Sequence, residues 1–167
     1  MMTASIKRVP FDVESYSRRS QTRSCFICAM VNGFSDEPEE IVYDDGDHIA
    51  FLPRFFVLPG YVLVAPKRHI EHVVRDLPED GFVAVMKVVR RVALALEASV
   101  PCERTYLLSL GSQQGNAHLH WHIAALPPGV SYEQQQFHAL MSENGVIERT
   151  PEETAAFAAR MRNALNA

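Results

Sequence analysis

Three of the seven histidines stand in the run His118-Leu119-His120-Trp121-His122, followed by Ile123, Ala124 and Ala125. In an extended chain side chains alternate between faces, so the three imidazoles share one side while Leu119, Trp121 and Ile123 turn into a core. A helix would splay residues two apart by about 200° and scatter the rings. Crowded imidazoles disfavour one another's protonation, which keeps at least one ring neutral near neutral pH. A neutral imidazole is a nucleophile or a metal ligand. Beside a second ring that stabilises charge developing on oxygen, it suits attack on an anionic phosphorus centre. The same spacing also fits an exposed polar strand face, or a metal site made from alternating histidines. A second grouping, Cys25-Phe26-Ile27-Cys28, has the spacing of half a zinc site, and reads equally as two buried, reduced thiols. A thioredoxin-like redox pair fits less well, because no strand precedes the motif.

These residues need elements to hold them. Cys25 to Val31 is apolar enough for a short packed helix, with Ser24 as its cap and Gly33 just past its end. Ile41-Val42-Tyr43 and His48-Ile49-Ala50-Phe51-Leu52 flank the turn-forming Asp44-Asp45-Gly46-Asp47, a hairpin signal. Tyr61-Val62-Leu63-Val64-Ala65 gives a third strand, stopped by Pro66. Over residues 78–99, Phe82, Val85, Met86, Val89, Ala93 and Leu96 recur at helical spacing, and the Arg90-Arg91 pair falls on the solvated side. Strands over 105–110 and 117–125, joined by Gly111-Ser112-Gln113-Gln114-Gly115-Asn116, make a second hairpin. Thr150-Pro151-Glu152-Glu153 supplies a cap, a first-turn proline and a capping-box glutamate for a closing helix carrying Phe157 and Met161. The order implies an α+β fold with a mostly antiparallel sheet of about five strands, one long amphipathic helix and a C-terminal helix. Residues 15–24 hold no aliphatic side chain, so residues 1–23 read as an exposed, flexible extension. The domain proper then spans 24–130, with a helical extension over 131–167 packed on it.

Composition narrows the partners. The 167 residues, 47% of them hydrophobic and 22% charged, suit one packed domain. Sixteen Lys and Arg against 20 Asp and Glu leave a net charge of −4, which argues against nucleic acid as a partner. Arginines break the apolar runs well short of the roughly 20 residues a membrane helix needs. The amino end lacks a signal peptide's apolar centre and three cysteines cannot all pair within the chain, so a reducing cytoplasm is expected.

The run from His118 to Ala124 resembles the signature of the histidine triad (HIT) family. The likeness extends over residues 24–126. Cys25-Phe26-Ile27-Cys28 is similar to the opening of the bacterial zinc-containing members. The segment from Ile41 to Leu52 resembles their first hairpin, and that from Pro59 to His69 their central strand and its exit. The resemblance implies a HIT-like α+β domain that forms a homodimer by joining two sheets, with a nucleotide site beside each triad. It implies attack on an α-phosphorus of a dinucleoside polyphosphate or nucleoside phosphoramidate. His120 would be the nucleophile and His122 the donor to phosphate oxygens or leaving group, with His118 completing the triad. Gln114, Gly115 and Asn116 would line the phosphate side, and Phe26 and Leu52 would be further substrate contacts. It also implies a structural zinc on Cys25, Cys28, His69 and His118, and no redox cofactor.

Three positions depart from the pattern. Pro53 stands where many relatives place an Asp or Asn on the ribose, Gly115 where Ser or Thr is common, and Ala125-Leu126-Pro127-Pro128-Gly129 replaces a Pro-Arg ending. Those departures keep two other readings open: a nucleotide-binding or sensing protein with little turnover, and a zinc-stabilised interaction domain. His72 is an alternative metal ligand but better read as a surface residue near Glu71. His48 and His138 read as exposed or satisfied, Cys102 as inert, and Trp121 as core.

Overall fold

The computed structural model describes residues 7–36, 39–111 and 116–167. Helices α1 (Val13–Thr22) and α2 (Phe26–Val31) precede strands β1 (Ile41–Asp44), β2 (His48–Phe51) and β3 (Gly60–Pro66). The long helix α3 (Glu79–Ser99) leads to β4 (Arg104–Leu108) and β5 (Trp121–Leu126). The chain closes with α4 (Phe137–Leu140) and α5 (Pro151–Asn166). Among the described residues the strands form one antiparallel sheet in the order β1-β2-β3-β5-β4. This is the α+β architecture the sequence implies.

The first hairpin turns as its residue types require. Gly46 adopts φ +96°, its N–H donates to Asp44 Oδ1, and Asp45 Oδ1 accepts from the N–H groups of Asp47 and His48. β3, at the centre, is buried along its whole length. A methyl group at its Gly60 would lie 2.7 Å from Val100 and 2.8 Å from Ala125, so only glycine lets the end of α3 close onto the sheet.

α3 starts one residue later than expected, with Pro78 as its N-cap and Glu79 and Asp80 at the positive end of the helix dipole. Its buried face includes Val85, Val89, Ala93 and Leu96 as anticipated, joined by Val88, Val92 and Ala95. Phe82 is instead 40% exposed, its ring meeting Trp121 edge-on. Arg91 is not simply solvated: it lies over the Tyr43 ring and donates to the Leu165 carbonyl, tying α3 to the end of α5. α5 carries the expected capping box between Thr150 and Glu153 and buries Phe157, Ala158, Met161 and Leu165.

The amino-terminal stretch read as an extension holds a helix. Asp12 caps α1 by accepting from the Ser15 N–H, and Glu14 pairs with Arg18 one turn on. No α1 residue is buried, but the preceding Val9 bridges to Val146, and Phe11 packs on Phe55. Local capping and pairing thus support a helix that has no buried residue and whose Tyr16 ring meets Phe11 and Phe55. Among the described residues, no helix is long and apolar enough to cross a membrane.

Candidate functional site

Only His122 of the three alternating histidines lies within β5. The expected strand over 117–125 begins at Trp121, because the backbone before it is held elsewhere. The Leu119 N–H donates to the Ile70 carbonyl, and the Ser109 hydroxyl donates to the His120 carbonyl. Burial still alternates: Leu119, Trp121 and Ile123 are core, while His120 and His122 are half-buried. The three rings divide between two sets of neighbours. His118 is fully buried and meets His69 at 4.8 Å between centroids, whereas His120 and His122 stand together at 4.7 Å.

His118 belongs to a cluster with both cysteines. Its Nε2–H donates to the Pro66 carbonyl at 2.8 Å, which leaves Nδ1 as the bare nitrogen, 3.4 Å from Cys25 Sγ and 3.5 Å from Cys28 Sγ. His69 is oriented in the same way: Nε2 faces Glu71 Oε1 and Nδ1 lies 3.3 Å from Cys28 Sγ. Ring nitrogens fixed from behind by a carbonyl or carboxylate are the usual outer shell of a metal-binding histidine. The four ligand atoms lie within 4.8 Å of one another. Zinc bonds of about 2.3 Å to sulfur and 2.0 Å to nitrogen in a tetrahedron place S and N about 3.5 Å apart, so the residues present fit zinc. Cys25 itself caps α2, its Sγ accepting from the Cys28 N–H in place of the expected Ser24. With only protein around it, burial and then Cys25 push the Cys28 thiol up to about 11, a shift that a central cation would reverse. His72 lies outside the cluster and faces Arg75 instead.

The pair next door has a different chemistry. His120 Nδ1 is 2.6 Å from the His118 carbonyl oxygen, which can only accept, so Nδ1 carries the proton and Nε2 the lone pair. Burial holds His120 below the usual histidine range, opposed by that bond. His122 is pushed down to about 3 by burial and then by His120, and its Nδ1 lies 2.7 Å from the Tyr61 hydroxyl. Tyr61 is 8% exposed, and burial followed by the neighbouring Tyr16 holds its phenol protonated.

The depressed His122 value links to stability. Between pH 6.5 and about 3 the unfolded chain takes up a proton that the native ring refuses, so stability falls as pH drops through that window. His122→Gln is expected to flatten the slope by up to about 1.4 kcal/mol per pH unit. Urea unfolding of both proteins at several pH values checks this, and parallel slopes would contradict it.

Other expected site residues fare differently. Gln114 and Gly115 lie outside the described residues. Asn116 is half-buried, and its Nδ2 is buried without a hydrogen-bond partner among the described residues. Phe26 is half-buried and meets Phe51 edge-on, but Leu52 is 1% exposed and therefore core, with no side-chain surface open to a ligand in the single chain. His48 is held by Asp45, His138 is exposed on α4, and Cys102 Sγ faces Thr105. Sequence reasoning missed Tyr61, read only as a core strand residue. Its signal was available in the pairing: Leu63 is opposite His122 and Tyr61 opposite Ala124, so Tyr61 is the diagonal neighbour of His122. A cleft of about 920 Å³ between the first hairpin and α3 is lined by Asp45, Asp47, Glu79, Asp80 and Lys87 among others, and carries none of the triad.

Known proteins resemble this chain in sequence and in fold. The chain is 33% identical over 107 residues to the protein hit of Bacillus subtilis, covering 62% of this chain and 70% of that one. It is 28% identical over 104 residues to an uncharacterised HIT-like protein of Saccharolobus solfataricus, covering 62% and 73%. Among solved structures, a hypothetical histidine triad nucleotide-binding protein of Sulfolobus tokodaii superposes with TM-score 0.68 at 26% identity, covering 85% of this chain and 92% of that one. A zinc-bound histidine triad family protein of Mycobacterium smegmatis shares the fold with TM-score 0.65 at 24% identity, covering 86% and 94%. The HIT domain model matches residues 35–128, a span that takes in the triad, His69 and all five strands of the sheet. By that match over more than half its length, the chain belongs to the HIT family.

Proposed function

We propose that the protein is a nucleotide phosphohydrolase or nucleotidyltransferase that works through a covalent histidine intermediate. The observation that carries this is the His120 Nδ1–H bond to the His118 carbonyl at 2.6 Å, which frees Nε2 for attack beside the ring of His122. In the proposed cycle the Nε2 lone pair attacks the α-phosphorus and the bond to the leaving group breaks. His122 donates a hydrogen bond to a phosphate oxygen or to the departing group. Water then attacks the nucleotidyl-histidine, the P–N bond breaks and the nucleoside monophosphate leaves. A second nucleophile in place of water makes the same cycle a transfer. By the family resemblance Asn116 would lie on the phosphate side; its buried amide nitrogen has no hydrogen-bond partner among the described residues.

Cys25, Cys28, His69 and His118 would hold zinc in this reading. Bound there with all four positions taken by protein, zinc supplies structural cross-linking of α2 to the sheet and no open coordination site. His118 then acts on His120 only through its carbonyl. The family's resemblance supports a homodimer, as does β4, an edge strand with Leu107 47% exposed. Three unpaired thiols favour a reducing compartment.

Incubation with a panel of diadenosine polyphosphates and adenosine phosphoramidates tests the reading. Release of nucleoside monophosphate from at least one of them is expected. Tight binding without release would favour the sensing alternative, which Pro53 at the usual ribose-contact position motivates, and neither binding nor release would leave a zinc-stabilised interaction domain.

A further inference from the structure

We infer that Tyr61 is a positioning residue that locks His122 in the tautomer bearing its proton on Nε2, so that this ring always presents a donor beside the lone pair of His120. The consequence for turnover rests on the function proposed above; the tautomer does not.

The argument starts from the phenol. Tyr61 lies in the central strand, 8% exposed, and its one hydrogen bond among the described residues is the 2.7 Å contact to His122 Nδ1. A buried hydroxyl needs an acceptor for its hydrogen. If His122 carried its proton on Nδ1, that proton would point at the phenol oxygen and the phenol hydrogen would be left without its one hydrogen-bond acceptor among the described residues. An unsatisfied buried donor is costly enough to bias the tautomer ratio by about 5- to 150-fold. The hydroxyl therefore donates, Nδ1 accepts, and the ring proton sits on Nε2.

The same reasoning gives His120 the opposite assignment. A carbonyl behind its Nδ1 forces the proton there and leaves the lone pair on Nε2. Two rings 4.7 Å apart thus become chemically distinct because one is backed by an acceptor and the other by a donor. Two lone pairs side by side would repel an incoming phosphate oxygen. One lone pair and one N–H bind that oxygen and attack its phosphorus. The phenol is itself held in place, since β3 is buried along its length and the Tyr61 and His122 rings lie 5.7 Å apart between centroids. Burial, which keeps the phenol protonated and His122 neutral, supports the same direction of donation.

Histidine ¹⁵N spectra of the full-length protein test the lock directly, with His122 assigned by its absence from the spectrum of His122→Gln. In the wild type His122 is expected as a single Nε2–H tautomer near neutral pH. In Tyr61→Phe, which keeps the ring and loses the hydroxyl, a Nδ1–H population should appear. Turnover of a nucleotide from the panel should then fall about 10- to 100-fold in kcat with KM within about twofold. A wild-type His122 found as Nδ1–H overturns the inference, whether or not the variant folds. So does a folded Tyr61→Phe in which the tautomer stays purely Nε2–H. The expected spectra from a wild type that turns over no nucleotide would support the lock and remove the proposed function, so the two fail separately.

Discussion

His120→Ala is expected to lose nucleotide release by about 10³-fold or more, with the fold intact. The size follows from the role. Among the described residues, His120 supplies the only Nε2 lone pair that is both freed by a carbonyl behind the ring and set beside a second imidazole. His118 cannot take its place, because its free nitrogen faces the two thiols and its other nitrogen is occupied by Pro66. The fold should survive because His120 is half-buried and its backbone, not its ring, receives the bond from Ser109. Release assays with matched circular dichroism check both halves. Activity within tenfold of wild type would mean that another group, or water directly, attacks the phosphorus.

Cys28→Ser should have the largest effect on stability. In the proposed reading the purified protein carries one zinc per chain, and the substitution removes it. Because a preformed metal site is absent from the unfolded chain, much of the binding energy is folding energy, and a loss of at least about 3 kcal/mol is expected. α2 has six residues, buries Ile27 and Met30 and is capped by Cys25 itself, so the cluster is a large part of what ties this short helix down. The His118 carbonyl that orients His120 moves with the same cluster, and turnover should fall along with the metal. Metal analysis and urea unfolding of the variant and of chelator-treated wild type check this. A metal-free protein with unchanged stability would argue that the thiols and imidazoles simply satisfy one another.

How much of this was legible in the sequence depended on how local each cause was. The Asp-Gly hairpin, the period of α3 and the Thr150 capping box are decided within a few residues, and each lies where the pattern places it. The extent of β5 is not local. Residues 118–120 take their backbone partners from Ile70 and Ser109, so two of the three histidines leave the strand that alternation assigned them. That departure separates His118, turned to the cysteines, from His120 and His122. Residue types sufficed to nominate the ligands, and a family resemblance to join His69 and His118 to the pair, but which group fixes each ring's free nitrogen, the Pro66 carbonyl far off in sequence for His118 and the nearby Glu71 carboxylate for His69, is decided by the fold. Tyr61 was hidden for the same reason: in a run of strand residues a tyrosine reads as core until its diagonal neighbour is known. Leu52 shows another limit of residue type, since a position assigned to ligand contact on likeness alone is 1% exposed in the single chain.

The most direct test of the covalent-histidine account is the stereochemical course at phosphorus. Hydrolysis of a substrate made chiral at the α-position with sulfur, in isotopically labelled water, reports the number of displacements that occur there. Attack by His120 followed by attack by water inverts the centre twice, so net retention is predicted. Net inversion would show a single displacement by water and contradict the nucleotidyl-histidine intermediate.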